Sequence, residues 1–226
     1  KNMKYKDKDY KVIGKVVVVG GSGFVGSHVA DCLSDNGYQV IIFDYINSPW
    51  LRADQNMVIG DILDTDKLEQ TIKGAKYVYN FAALADLNQA LDKPVKTVEI
   101  NILGNLNVLE ACRIHNVKRF IYASTVYVHS REGSFYRCSK QSSESYVDEY
   151  QKAYNLDYTI LRYGSLYGPR ADDTNGMYRI VSSALKTGKV KYKGNFESMR
   201  EYIHVEDAAR ASLSTLAASF HHESII

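Results

Sequence analysis

The heptapeptide Gly20-Gly21-Ser22-Gly23-Phe24-Val25-Gly26 constrains this chain more than any other feature. It stands directly between a continuous β-branched run, Val16 to Val19, and a helical stretch that ends near Asn36-Gly37. A strand, a glycine turn and a helix in that order have a specific physical use. Glycine permits the tight turn, lets backbone approach a pyrophosphate, and lets the helix pack closely on the strand. The helix N-terminus then presents free N–H groups and the positive end of its dipole to an anion. Gly20, Gly23, Phe24, Val25 and Gly26 are therefore expected to hold a dinucleotide. Asp44 closes the next apolar run, Val40 to Phe43. A carboxylate there accepts hydrogen bonds from ribose hydroxyls and repels a 2′-phosphate, so NAD is favoured over NADP.

The rest of the chain alternates in the same way. Met57 to Ile59, Tyr77 to Phe81, Phe120 to Ala123 and Tyr158 to Leu161 read as further strands. Val95 to His115, with Val98, Ile102, Leu106 and Leu109 at helical spacing, and Phe135 to Tyr154 read as helices. Such alternation predicts right-handed βαβ crossovers and an α/β fold with a doubly wound parallel Rossmann sheet. The expected division is a dinucleotide-binding domain over 1–163 and a mixed segment over 164–226. The latter carries elements of a small, incomplete substrate lobe and returns to the first domain near 200–216, with a truncated C-terminus.

Bulk properties narrow the function classes. A formal net charge of +2 over 226 residues gives nucleic acid or an anionic membrane little to bind. No apolar run reaches the roughly 18 residues of a membrane span. The segment Lys1 to Lys11 alternates Lys with Asp and Tyr, which suits a solvated leader and lacks the apolar core of an export signal. Cys32, Cys112 and Cys138 have neither paired nor metal-ligand spacing, so no disulfide framework or metal site is expected and the cytoplasm is the default compartment. The adjacent His221 and His222 suit a surface loop.

A second constellation lies downstream. Tyr136-Arg137-Cys138-Ser139-Lys140 opens a helix, placing Tyr136 and Lys140 on one face at i and i+4. A phenol with its usual pKa near ~10 is a poor base at neutral pH, and a nearby lysine cation is expected to lower it. Ser124-Thr125 ends the preceding strand and offers a hydroxyl at the same edge, with Ser124 slightly preferred. Tyr136, Lys140, Ser124 and Thr125 are the candidate catalytic residues.

With these motifs in place the chain resembles the extended short-chain dehydrogenase/reductases, the NAD-dependent epimerase/dehydratase family. Gly60-Asp61-Ile62 is similar to the family segment that contacts adenine. Asn80-Phe81-Ala82-Ala83 resembles the strand end that lines the cofactor, and the helix beginning at Asn101 resembles the long central helix. Leu161-Arg162-Tyr163 and Leu166-Tyr167-Gly168-Pro169-Arg170 resemble the turn into a sugar-nucleotide lobe. Arg200 to Asp207 is similar to a late segment whose arginine meets a substrate phosphate. The resemblance implies that Asp61, Ile62, Phe81, Ala82, Ala83, Asn101, Tyr136 and Lys140 also bind the cofactor. It implies that Ser165 and Arg200 bind a nucleotide-sugar substrate, and that the chain forms a homodimer through its two long helices. The implied activity is nucleotide-sugar epimerisation through a transient keto-sugar, with keto-sugar reduction or net dehydrogenation as alternatives and non-catalytic NAD binding as a third.

The chain also departs from that family. Only 12 positions separate Ser124 from Tyr136, where a much longer loop is usual. Val126 and Tyr127 follow Thr125 where the family's 4,6-dehydratases carry an acidic pair, which counts against dehydration. Ser165 stands where asparagine is common.

Overall fold

The computed structural model describes residues 12–190, 197 and 199–226; the leader Lys1 to Lys11 lies outside them. Strands β1 (Lys15–Val19), β2 (Gln39–Asp44), β3 (Asn56–Ile59), β4 (Tyr77–Asn80), β5 (Arg119–Thr125) and β6 (Tyr158–Tyr163) alternate with helices α1 (Phe24–Asp35), α2 (Thr65–Ile72), α3 (Leu87–Asp92), α4 (Pro94–Val98), α5 (Gly104–Ile114) and α6 (Ser134–Tyr154). Then follow β7 (Ser165–Tyr167), α7 (Gly176–Thr187), β8 (Tyr202–His204), α8 (Val205–Ser214) and β9 (Glu223–Ile225). Seven strands form one parallel sheet in the order β3-β2-β1-β4-β5-β6-β9. The chain runs outward from β1 in both directions, so the switch in winding, and the crevice it opens, lies at the carboxyl ends of β1 and β4.

Why the valine run forms a central strand is visible in its burial. Val16, Val17, Val18 and Val19 are all inaccessible to solvent. Side chains alternate across the sheet. Val17 and Val19 join Val78, Phe120 and Tyr122 in a core capped by Leu68 of α2, Leu109 of α5 and Val147 of α6. Val16 and Val18 join Tyr79 and Ile121 under Leu33 of α1 and Ala209 of α8. Each fully buried valine contributes on the order of 1.5–3 kcal/mol, and only a strand covered on both faces can use all four.

The long helix expected over Val95 to His115 is present but not uniform. Between α4 and α5 the segment Glu99–Leu103 adopts a π turn. The carbonyl of Asn101 in that turn accepts a hydrogen bond from Ser143 Oγ of α6 at 2.8 Å. A π turn frees backbone groups from the α ladder and recurs near functional sites; sequence periodicity does not register it. Strand β5 ends in Ser124 and Thr125, as the sequence suggests, and they are register partners of Arg162 and Tyr163 on β6.

After β6 the chain builds a two-stranded parallel sheet of β7 and β8. Helix α8 packs on α1 and β9 extends the main sheet beside β6. Arg119, 1% exposed, donates Nη1 to the carbonyls of Thr215 and Ala217 at 2.5 and 3.0 Å. This ties β5 to the carboxyl end of α8, where a cation is favoured by the helix dipole. No helix among the described residues is long and apolar enough to cross a membrane.

Candidate active site

The glycine turn is built for close approach. Gly20 has φ +76°, and a methyl group on it would lie 2.4 Å from the amide nitrogen of Ala82. That contact is impossible, so a residue without Cβ is required where the turn after β1 crosses the turn after β4. A methyl group on Gly26 would meet the Gly20 carbonyl oxygen, also at 2.4 Å; glycine there lets α1 settle onto the turn. Helix α1 starts after Gly23 with no side chain capping its first turn and no acidic residue in it. The opening amides, from Phe24 and Val25 onward, meet the needs of a pyrophosphate.

Asp44, 8% exposed at the end of β2, accepts hydrogen bonds from the Ser22 amide at 3.0 Å and the Ile46 amide at 3.4 Å. Burial pushes its carboxyl upward, and these backbone donors pull it back. It thus braces the glycine turn. Asp61 is exposed, and its Oδ1 accepts from the Leu63 amide at 2.9 Å. The Ile62 side chain belongs to the core, and its carbonyl accepts from Asn107; any contact to adenine from Ile62 comes from backbone. Phe81, Ala82 and Ala83 form a half-buried turn after β4. Phe81 packs parallel to Tyr79, 6.1 Å between ring centres, and Asn80 Oδ1 receives the Ala82 amide.

Asn101 is used up by the protein. Its Oδ1 accepts from the Leu84 amide at 2.7 Å, and its Nδ2 donates to the Leu84 carbonyl and to Ser139 Oγ. One side chain therefore joins the π turn to the turn after β4 and to the helix of the Tyr136–Lys140 pair. In this geometry Asn101 braces the turn after β4 and the start of α6.

Tyr136 is half-buried in the first turn of α6 and Lys140, one turn on, is 2% exposed. Lys140 Nζ donates to the Ala123 carbonyl at 2.7 Å, lies 4.7 Å from the Tyr122 ring centre and 5.8 Å from that of Tyr136. The helix thus delivers both side chains to the carboxyl end of β5. The expected depression of the Tyr136 phenol by Lys140 is not found. Burial raises the phenol above its ordinary value. Burial also pushes Lys140 down to about 7, opposed by the charge of Glu144. Desolvation dominates at both groups, and the ammonium donates to a carbonyl and not to the phenol.

Ser124 and Thr125 point to opposite sides of β5. Ser124 Oγ donates to Glu144 Oε1 at 2.5 Å, so its proton is committed toward α6. Thr125 Oγ accepts from the Tyr127 amide at 3.3 Å, which leaves its own proton free to donate. Glu144 was not singled out by motif, yet it is anchored in a two-pronged pair with Arg162, at 3.0 and 2.7 Å. Its signal in the sequence is spacing alone: Tyr136, Lys140 and Glu144 recur every four residues.

Of the two candidate substrate residues, Ser165 lies in the small sheet and Arg200 in the segment leading into it. Ser165 opens β7 and is the register partner of Tyr202, two residues beyond the exposed Arg200. His221 and His222 both pair with Asp157, at 3.0 and 2.7 Å, away from these residues in sequence and on the β9 edge. Among the described residues no group of three or more His, Cys, Asp or Glu side chains is set to hold a metal ion.

Known proteins bear out the resemblance. A putative UDP-glucose 4-epimerase of Methanocaldococcus jannaschii is 31% identical over 89% of this chain and 73% of its own length. The solved UDP-glucose 4-epimerase of Thermotoga maritima, with UDP-glucose, superposes with a TM-score of 0.86 at 31% identity, over 94% of this chain and 76% of that one. The Thermus thermophilus UDP-glucose 4-epimerase in complex with NAD gives 0.81 at 30% identity, over 93% and 76%. The sequence profile described as the NAD dependent epimerase/dehydratase family matches residues 16–225. With its glycine turn, Asp44 and the Tyr136–Lys140 helix on one sheet edge, the chain belongs to the NAD-dependent epimerase/dehydratase family.

Proposed function

We propose that this protein is an NAD-dependent nucleotide-sugar epimerase that works through a transient keto-sugar. The observation that carries the reading is the meeting of Tyr136 and Lys140 on one face of α6, with Lys140 bound to the Ala123 carbonyl near the carboxyl end of β5, at the edge where the glycine turn opens. Bound NAD would supply the hydride acceptor, return the hydride, and place the positive charge of its oxidised ring in the site. Tyr136 would take the proton of the sugar hydroxyl that is oxidised and give it back after the sugar has turned over. Lys140 would exchange its carbonyl partner for the nicotinamide ribose and keep a cation beside Tyr136, which the raised phenol requires. Thr125, with its proton free, is the better placed hydroxyl to hold the reacting sugar oxygen; Ser124 is committed to Glu144. Phe24, Val25 and Gly26 would face the pyrophosphate, Asp44 the ribose. Ser165 on β7 and Arg200 just before β8 would take the nucleotide diphosphate of the substrate. The relatives acting on UDP-glucose make a uridine diphosphate hexose the substrate to try first.

The exposed Val95, Val98 and Leu103, together with Tyr146 and Tyr154 of α6, give two long helices an apolar outer surface suited to a homodimer. Light scattering of the purified protein tests that, and fractionation of cells tests a cytoplasmic location. The functional test is direct. Incubation with uridine diphosphate hexoses, followed by NMR, is expected to show interconversion of epimers without net reduced cofactor. Stoichiometric reduced cofactor would make the protein a dehydrogenase or keto-sugar reductase. NAD binding without turnover of any nucleotide sugar would refute the enzymatic reading.

A further inference from the structure

Glu144 lies four residues beyond Lys140 and eight beyond Tyr136, on the same face of α6. Its carboxylate is the meeting point of three elements. Ser124 of β5 donates to Oε1 at 2.5 Å, and Arg162 of β6 donates Nε to Oε1 and Nη2 to Oε2. Ser124 and Arg162 are register partners on adjacent strands, so the sheet presents both donors side by side to one helical position. The Glu144 and Arg162 side chains are only 13% and 18% exposed. A nearly buried pair of this kind is weak evidence for stability, since desolvation offsets the attraction. Its geometry is therefore better explained by what it does to its neighbours.

We infer that Glu144, anchored by Arg162, is a positioning residue that keeps the Lys140 side chain an ammonium and holds the Ser124 hydroxyl on the α6 side of its strand. Among the described residues, Lys140 is otherwise surrounded by groups that carry no negative charge. They are the Tyr122 phenol and the Ala123 carbonyl of β5, and the Tyr136 phenol of its own helix. Asn101 and Ser139, beside the π turn, are neutral, and Arg162 is the further cation at this face. Glu144 is the charge that opposes the burial of Lys140 among the described residues. Arg162 fixes the carboxylate in place and, as a cation bound to it, should partly cancel the charge that reaches Lys140. Commitment of Ser124 to the same carboxylate leaves Thr125 as the hydroxyl that faces the other way.

The inference rests on the proposed role of Lys140 in holding the cofactor. The ammonium form should bind NAD better, so affinity should fall as pH rises through a break near 7, where Lys140 loses its proton. Glu144→Gln keeps size and shape but removes the charge, leaving Arg162 uncompensated. The break should then move to lower pH by about 1 to 2 pH units. Arg162→Gln leaves the carboxylate unshielded and should move the break to higher pH. A brace with no electrostatic role would weaken folding in both variants without moving the break in opposite directions. Calorimetric NAD titrations across pH read the break, and NMR titration of the Lys140 side chain reads the same proton without cofactor. Opposite displacements in the two variants are the expected result. Equal breaks, or displacement in the same direction, would overturn the inference. Should either single variant fail to fold, Glu144→Gln with Arg162→Gln leaves no unpaired charge. Its break should lie below the parent's, and an unmoved break there is equally fatal. If the parent protein binds no NAD, the proposed function fails while the NMR titration still decides the role of Glu144.

Discussion

Replacing Lys140 by methionine should stabilise the protein, although it should harm the cofactor site. Lys140 is 2% exposed, and burial pushes it from the ordinary 10.5 down to about 7. The folded protein therefore binds this proton less readily than the unfolded chain. Above pH 10.5 the amine is neutral in both states and carries no penalty. Between about 10.5 and 7 the unfolded chain takes the proton first, and the folded state loses relative stability as pH falls. Below about 7 the full penalty applies. At about 1.4 kcal/mol per pH unit the gap from 10.5 to about 7 amounts to roughly 5 kcal/mol. Methionine keeps a stem of similar length without the charge. It forfeits the 2.7 Å bond to the Ala123 carbonyl, a loss of about 1–3 kcal/mol. The net gain at neutral pH should then be on the order of 2–4 kcal/mol. Urea unfolding of the parent and Lys140→Met proteins from pH 6 to 10.5 measures it, because subtraction removes every group the two share. The stability difference should be greatest at the acid end and shrink steadily towards pH 10.5. A difference that does not change across that range would show that burial does not depress Lys140, and the reasoning would fail.

Other outcomes follow from the same geometry. Asp44→Ala should narrow the preference for NAD over NADP measured by calorimetry; equal affinities in the parent protein would remove Asp44 from that role. Thr125→Ala should lower turnover roughly 10- to 1000-fold, the range for loss of a transition-state hydrogen bond, while Ser124→Ala should be milder. The reverse order would reassign the hydroxyl to Ser124. Tyr136→Phe should preserve folding and NAD binding and abolish most turnover, and a variant with parental rates would exclude Tyr136 as the proton acceptor. Gly20→Ala should destabilise by roughly 2 kcal/mol or more, from the positive φ and the contact with Ala82; thermal melting indistinguishable from the parent would count against the tight crossing of the two turns.

Much of this protein is legible in its sequence because the relevant physics is local. Four consecutive valines followed by a glycine turn and a helix specify a buried strand feeding a tight turn and an open helix N-terminus, whatever surrounds them. Repetition of that unit gives a parallel sheet, because parallel strands need crossovers. The four-residue spacing of Tyr136 and Lys140 fixes a shared helical face before any tertiary contact is known. What the sequence could not decide depends on groups distant along the chain. Whether Ser124 or Thr125 has a free proton turns on Glu144, 20 residues away, and on Arg162 from a neighbouring strand. The π turn at Glu99–Leu103 answers to Ser143 on another helix. Asn101 becomes a brace because Leu84 and Ser139 arrive at its amide together. The protonation of Tyr136 and Lys140 went against the local expectation for the same reason. Charge proximity can be counted along a helix, whereas desolvation is set by everything the fold packs around the two side chains.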